Sequence, residues 1–465
     1  MIKALKDKQF IKKFLAITFP VMVQTLVSFI VTFVDNIMVG GVSNEAVSAV
    51  YSVNQASFFF YVAMFGLFSG ASIYVQQFSG AKDVTHLRQA FLYKLVVGTL
   101  FLAIILPILF LFGHHLVAFY SRSDTNQAAI LVEAAKYMPI LILSYIPLLF
   151  ATVYASTLRE TGRTRLPMIA GVIALSTNAL LNALFIYGLK LGVVGAALAT
   201  VIARLIEAAI IITIAHRQKL DFCHQAYRQF KIEPKLFRLI SKKMWPLLIN
   251  ELLWSTGMIM QSLSYAQRDN VLSALSILST TTEIFGIVFN GLAVGISVMV
   301  GSTLGAGKIE EARDISKKLL WLGILISLSV GAFMIAISPF IPRLWATVGN
   351  DQRTLATQMI IIYGCFLWVY SVCISAYQIL RAGGMAKQTM IMDSGIMWVG
   401  TVPLAWILAL ATSLPLVGIF AILQSIDIIK MIVGLSLIRN GKWANNLTTA
   451  VSEPVVLFAV NDLLK

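Results

Sequence analysis

The sequence predicts an all-α integral membrane protein of about twelve transmembrane helices, in two six-helix lobes related by a pseudo-two-fold axis along the membrane normal. Three observations predict it: too few charges for a soluble surface, apolar runs of membrane-spanning length, and a repeat relating the first half of the chain to the second. Of the 465 residues, 58% are hydrophobic and 12% charged. A soluble domain carries about 25% charged residues, so this chain cannot coat a water-facing surface. Its apolar runs are continuous rather than alternating, which fits helices and not barrel strands, the only other structure that satisfies its backbone in lipid.

The runs fall at 14–38, 50–78, 91–112, 129–157, 166–188 and 193–215, then at 242–265, 272–303, 319–342, 355–380, 389–410 and 415–438. Placement of Lys and Arg tests this count independently. With the N-terminus inside, the inner segments hold 28 of the 36 basic residues, while the outer loops hold only Arg122, Lys190, Arg268, Arg343 and Arg353. An extra or missing span would scramble this bias, so it supports an even count with both termini cytoplasmic. The net charge of +15 is thus spent on topology and not on binding nucleic acid. The N-terminal run exceeds a signal-peptide core, so the first span is expected to be retained. Three scattered cysteines, Cys223, Cys365 and Cys373, form no CxxC and suggest neither a disulfide framework nor a zinc site.

The two halves repeat. Pro20 in the first span matches Pro246 in the seventh. Asn44-Glu45-Ala46-Val47-Ser48-Ala49-Val50 faces Asp269-Asn270-Val271-Leu272-Ser273-Ala274-Leu275. Gly66, Gly70, Ser72, Gly80 and Ala81 face Gly291, Gly295, Ser297, Gly305 and Ala306; Leu158-Arg159-Glu160-Thr161-Gly162 faces Leu380-Arg381-Ala382-Gly383-Gly384; Gly192-Val193-Val194-Gly195 faces Pro415-Leu416-Val417-Gly418. Six spans per half bring both halves in from the same side, the parallel-repeat arrangement of a transporter. The expected division is an N-terminal lobe over 1–216, a basic linker over 217–240, a C-terminal lobe over 241–442 and a tail over 443–465. Prolines inside apolar helices remove a backbone hydrogen bond and permit a kink, so Pro20 and Pro246 are candidate hinges or static bends.

The blocks Phe33-Val34-Asp35-Asn36-Ile37-Met38-Val39-Gly40, Gly80-Ala81-Lys82, Leu304-Gly305-Ala306-Gly307-Lys308, Leu158 to Gly162, Asn250 to Gly257 and Arg439-Asn440-Gly441-Lys442-Trp443 resemble, in order and spacing, the multidrug and toxic compound extrusion (MATE) family. The resemblance covers nearly the whole chain. It implies a two-lobed antiporter that exports amphipathic, cationic, drug-like compounds in exchange for Na+ or H+. The short loops and lack of appended domains suit a bacterial cytoplasmic membrane, and a monomer is expected, with no cofactor beyond Na+ as a candidate coupling ion.

Acids within spans are costly in lipid and are functional candidates for that reason. Asp35 lies ~33 Å along its helix from Lys13, in the outer part of the membrane. Asn178 and Asn182 share one face of the fifth span at i, i+4, and with Thr200 they reach comparable depth. One carboxylate with amide and hydroxyl oxygens suits a hard cation such as Na+. A poorly solvated carboxyl also suits proton uptake, since low dielectric disfavours the charged form. The resemblance points to the same constellation. Where relatives carry an acid one turn after the asparagine, this chain has Asn182, which leaves Asp35 as the only acid there. Helix pinning by hydrogen bonds is the structural alternative.

Glu251 in the seventh span, Asp393 in the eleventh and Glu283 in the eighth are secondary acidic candidates. Relatives pair a glutamate like Glu251 with an acid in the tenth span, and residues 355–380 contain none. Arg204 with Glu207, and Asp427 with Lys430, are three apart and read as local structural pairs.

No Walker loop, HExxH, GxSxG or dinucleotide fingerprint occurs, so neither ATP hydrolysis nor an enzyme's chemistry is indicated. A flippase for lipid-linked sugars is the nearest rival, and it predicts more spans or a cavity rich in arginine, which Arg204 alone fits poorly. A membrane-embedded lipid enzyme would need an interfacial catalytic cluster, and a channel would not need duplicated halves.

Overall fold

The computed structural model describes residues 7–122, 126–268, 271–345 and 348–452. Residues 1–6, residues 269–270 of the repeat and tail residues 453–465 lie outside it. Every apolar run is helical. The helices are α1 (Lys8–Gly40), α2 (Asn44–Ala81), α3 (Val84–Tyr120) and α4, bent between Gln127–Leu143 and Tyr145–Glu160. There follow α5 (Arg165–Asn182, then a π-turn over Ala183–Gly188), α6 (Gly192–Arg217), α7 (Pro234–Tyr265), α8 (Leu272–Gly305), α9 (Ile309–Ile337) and α10 (Asn350–Ala382). Helix α11 runs from Ala386 through π-turns at Ile391–Gly395 and Met397–Thr401 to Ala411, and α12 spans Leu416–Arg439. Ten of these are long and apolar enough to cross a membrane singly, and the two arms of α4 together make an eleventh span. Helix α7 is long enough but carries Lys242, Lys243, Asn250 and Glu251, which lowers its apolarity.

Local chemistry sets the ends. Asp7, Ser43 and Asp83 cap α1, α2 and α3 by accepting from Phe10, Ala46 and His86 backbone N–H groups, worth about 1 kcal/mol each. Helices α4 and α10 end at equivalent left-handed glycines, Gly162 (φ 78°) and Gly384 (φ 80°), where a side chain would be strained. The 42° bend of α4 falls at Ser144, where Pro147 cannot donate to the Leu143 carbonyl. Pro20 likewise frees the Ala16 carbonyl, and Thr164 Oγ1 donates to it at 3.1 Å. Both hinge candidates, Pro20 and Pro246, lie inside uninterrupted helices. Helix α7 starts at Pro234, within the stretch expected as linker.

The repeat appears in space as a symmetric exchange. Gly66 and Gly70 of α2 lie against Leu248 and Met244 of α7; their counterparts Gly291 and Gly295 of α8 lie against Met22, Thr18 and Phe14 of α1. So the first helix of each half packs on the second helix of the other. About three turns further, α2 and α8 cross with no room for side chains: a Cβ on Gly80 would meet the Ser302 carbonyl, and one on Gly305 the Gln77 carbonyl. Gln76 Nε2 donates to Ser297 Oγ at 2.9 Å across the same crossing.

This face of α2 and α8 opens toward the other end. Moving away from the crossing on α2, Phe65, Tyr61, Phe58, Asn54 and Tyr51 are all exposed at i, i+3, i+4 spacing. The equivalent positions on α8 are Asn290, Gly286, Glu283, Ser279 and Ser276; all are exposed except the half-buried Gly286, whose Cβ would meet nothing within 4 Å. This face is locked across the two-fold at one end and bare at the other, so the two helices can wall a cleft between the halves. Its α2 wall is mostly aromatic and its α8 wall is polar, which lipid would not tolerate.

The closed end is tied by the tail. Gln77, fully buried, donates from Nε2 to the Ala382 (2.9 Å) and Asn445 (3.2 Å) carbonyls and accepts from Leu447 N–H at 2.7 Å. The linker also packs inward, with Phe222 and Cys223 buried. Burial pushes the Cys223 thiol up to about 11, which keeps it protonated and slow to alkylate at neutral pH.

Two charges expected in loops are buried. Lys94 has no exposed surface and meets Glu160 Oε2 at 2.5 Å. Removing one member of such a pair leaves an uncompensated charge and costs about 3–5 kcal/mol. Glu160→Gln is therefore expected to lower the unfolding temperature in detergent sharply, and an unchanged melt would refute the pairing. Arg381, the second, is also buried. Its long side chain points back along α10 into the protein rather than out from the loop.

Candidate functional site

Helices α1, α5 and α6 bring together the four residues singled out as ion-coupling candidates. Asn182 Nδ2 donates to Asp35 Oδ1 at 2.8 Å. With its amide nitrogen toward the carboxylate, Asn178 donates to Asp35 Oδ2 at 2.8 Å and accepts from the Thr200 backbone N–H at 3.2 Å. The opposite orientation leaves only a 3.5 Å contact from Asn178 Nδ2 to Thr200 Oγ1 and takes a donor from the carboxylate. Both amides are buried, whereas Asp35 is half-buried. Asn182 Oδ1 is buried with no partner. The π-turn after Asn182 widens α5 here, a distortion frequent at functional sites.

The C-terminal half carries a second polar cluster, on α7, α10, α11 and α12. Asn250 Nδ2 reaches Asp393 Oδ2 at 3.2 Å and Tyr377 Oη at 3.3 Å, and Tyr377 donates to Glu251 Oε1 at 3.1 Å. Ser394 Oγ donates to Asn250 Oδ1 at 2.7 Å. Lys430 Nζ lies between Asp393 (3.7 Å) and Asp427 (3.4 Å). Asp393 sits in a π-turn of α11, Ile391–Gly395. Among the described residues no group of three His, Cys, Asp or Glu could hold a metal.

A sequence profile of the family described as MatE matches residues 20–184 and 246–407, most of both halves. The chain belongs to the MatE family. It is 24% identical over 390 residues to a probable multidrug resistance protein, YoeA, of Bacillus subtilis, covering 81% of this chain and 82% of that one. It is 23% identical over 445 residues to human multidrug and toxin extrusion protein 1, covering 93% and 75%. Among solved structures it matches an outward-facing multidrug resistance MATE family transporter with a TM-score of 0.83 at 20% identity, over 95% of this chain and 97% of that one. It matches the Vibrio cholerae MATE transporter VcmN in its bent form with a TM-score of 0.84 at 17% identity, over 94% and 99%. MatE proteins are membrane transporters and not enzymes.

Within this MatE fold the remaining candidates fall apart from both clusters or join them unexpectedly. Glu283 joins neither; it stands on the exposed α8 wall with Ser279 Oγ at 3.5 Å. Arg204 and Glu207 do pair on one helix, at 2.8 Å. The Asp427–Lys430 pair is less self-contained than its spacing implied, because Lys430 is shared with Asp393. Tyr377, Asn250, Ser394 and Arg381 were missed. All lie in apolar runs or at their ends, and only the polarity of Asn250 beside Glu251 could have drawn attention to them.

Proposed function

We propose that this MatE protein is a secondary antiporter that exports amphipathic, cationic organic compounds in exchange for Na+ or H+. The carrying observation is the convergence of Asp35, Asn178, Asn182 and Thr200 beside an unpaired buried oxygen, Asn182 Oδ1. A carboxylate and amide oxygens form a donor set for a hard cation such as Na+. The same group suits a proton. In the present arrangement both Asp35 carboxylate oxygens accept from amide N–H groups. A protonated Asp35 needs an acceptor, and a turn of the Asn182 amide would offer Oδ1, so one side chain senses the two states.

Alternating access then means that the lobes α1–α6 and α7–α12 rock about the tight α2–α8 crossing. The basic loops beside the closed end support a cytoplasmic position for it. Substrate enters a cleft whose α2 wall offers Tyr51, Phe58, Tyr61 and Phe65 to an organic cation, with Glu283 opposite as its charge partner. The names of the relatives support the substrate class. The neutral proposal for the C-terminal cluster is that Glu251, Asp393 and Lys430 hold α7, α11 and α12 together.

The test is efflux of ethidium from energised vesicles under separately imposed Na+ and proton gradients. Efflux following one gradient names the ion. Efflux indifferent to both would sink the antiporter reading and move the assignment toward a lipid-linked flippase.

A further inference from the structure

The repeat supplies an internal comparison for one residue that no role above employs. Arg159 and Arg381 occupy equivalent positions, in Leu158-Arg159-Glu160 and Leu380-Arg381-Ala382. In the first half Arg159 donates to Gln24 Oε1 at 3.3 Å and has Glu160 next to it in sequence. In the second half the counterpart of Gln24 is Asn250, but its side-chain oxygen is taken by Ser394, and an alanine follows the arginine. Among the described residues the Arg381 side chain makes no hydrogen bond and no ion pair, although the residue is only 6% exposed. Glu251 lies within its electrostatic reach but is bonded to Tyr377 Oη instead. Lys94 lies within reach as well and is already matched by Glu160.

What surrounds Arg381 is aromatic. Its guanidinium sits 5.3 Å from the centroid of Phe65 and 6.0 Å from that of Tyr377. Phe65 belongs to the other half and is the lowest exposed residue of the aromatic wall, with 53% of its surface open. Arg381 is therefore at the cleft floor, bridging the halves. A scarcely exposed guanidinium with five N–H donors and no protein acceptor leaves those donors available to a ligand. Its planar fork matches a carboxylate in bidentate fashion, which an ammonium does not.

We propose that Arg381 forms an anion-accepting subsite at the base of the cleft, which takes the carboxylate of a small aromatic ligand lying along Phe58, Tyr61 and Phe65. This deepens the export reading, on which it rests: the carrier takes zwitterions as well as simple cations, with the carboxylate down at Arg381 and the cationic end up toward Glu283.

The test uses purified full-length protein in nanodiscs and two probes, a rhodamine bearing a free carboxylate and its methyl ester. The expected result is that Arg381→Gln lowers the ratio of acid-form to ester-form affinity at least tenfold, measured by fluorescence anisotropy, and that Arg381→Lys lowers it by less. If the glutamine variant does not elute as a single species, the lysine variant carries the test, with the same direction expected. An unchanged ratio, or an equal loss for both dyes, overturns the subsite. So does an acid-form affinity that falls when phosphatidylglycerol replaces phosphatidylcholine in the wild type and not in the variant, because the occupant would then be a lipid headgroup. Failure of the export reading shows separately, in sealed proteoliposomes, as loss of gradient-dependent transport of the ester dye, which does not need Arg381.

Discussion

Asp35→Asn should abolish ion-driven export, lowering the initial rate of ethidium efflux at least tenfold while the protein still folds. The exchange is isosteric, so packing against α5 survives, yet it removes the only acid of the pocket. It also puts an amide nitrogen where Asn182 Nδ2 and Asn178 now donate, forcing one of those amides to turn. The unpaired Asn182 Oδ1 makes that turn inexpensive, which is why loss of transport should come without loss of fold. A charge moved one step gives a stricter test. Asp35→Asn combined with Asn182→Asp returns a carboxylate to the pocket and should recover part of the gradient-dependent rate. Full activity in the single variant would end the coupling proposal; inactivity of both would show that Asp35 is needed for its position and not its charge alone.

The second large effect belongs to the closed end. Gly80→Leu and Gly305→Leu should each prevent α2 and α8 from crossing, because the added side chain meets backbone and not a movable neighbour. Backbone cannot repack by changing rotamers, so the helices must separate. Spin labels on the loop-side ends of α2 and α8 should report longer distances, and export should fall at least tenfold. The two variants should behave alike, since the crossing is two-fold symmetric. A variant that exports normally with unchanged distances would show that the crossing is not the pivot.

The helices were legible because lipid leaves few alternatives: each run of twenty or so apolar residues has to satisfy its own backbone. The four-residue site was legible for the same reason, as Asp35, Asn178, Asn182 and Thr200 stand out against apolar neighbours. Facing was not legible. Hydropathy is nearly uniform around a membrane helix, so nothing in the sequence told Phe58 and Tyr61 from lipid-facing aromatics. Lys94 and Arg381 were counted as loop charges because they lie at span ends, and only tertiary contact revealed that they turn inward. The tail's role was invisible as well, since Gln77 accepts from Leu447 across 370 residues of chain.

The two-fold crossing and the unmatched cleft walls divide the labour of the molecule. The floor is made of paired glycines that must stay equal, whereas Phe58 and Glu283 occupy the same place in each half and have diverged completely. On the proposed mechanism, rocking and recognition are written in separate residues. A lineage of such carriers is free to change its cargo by redecorating one wall, without disturbing the geometry on which its opening depends.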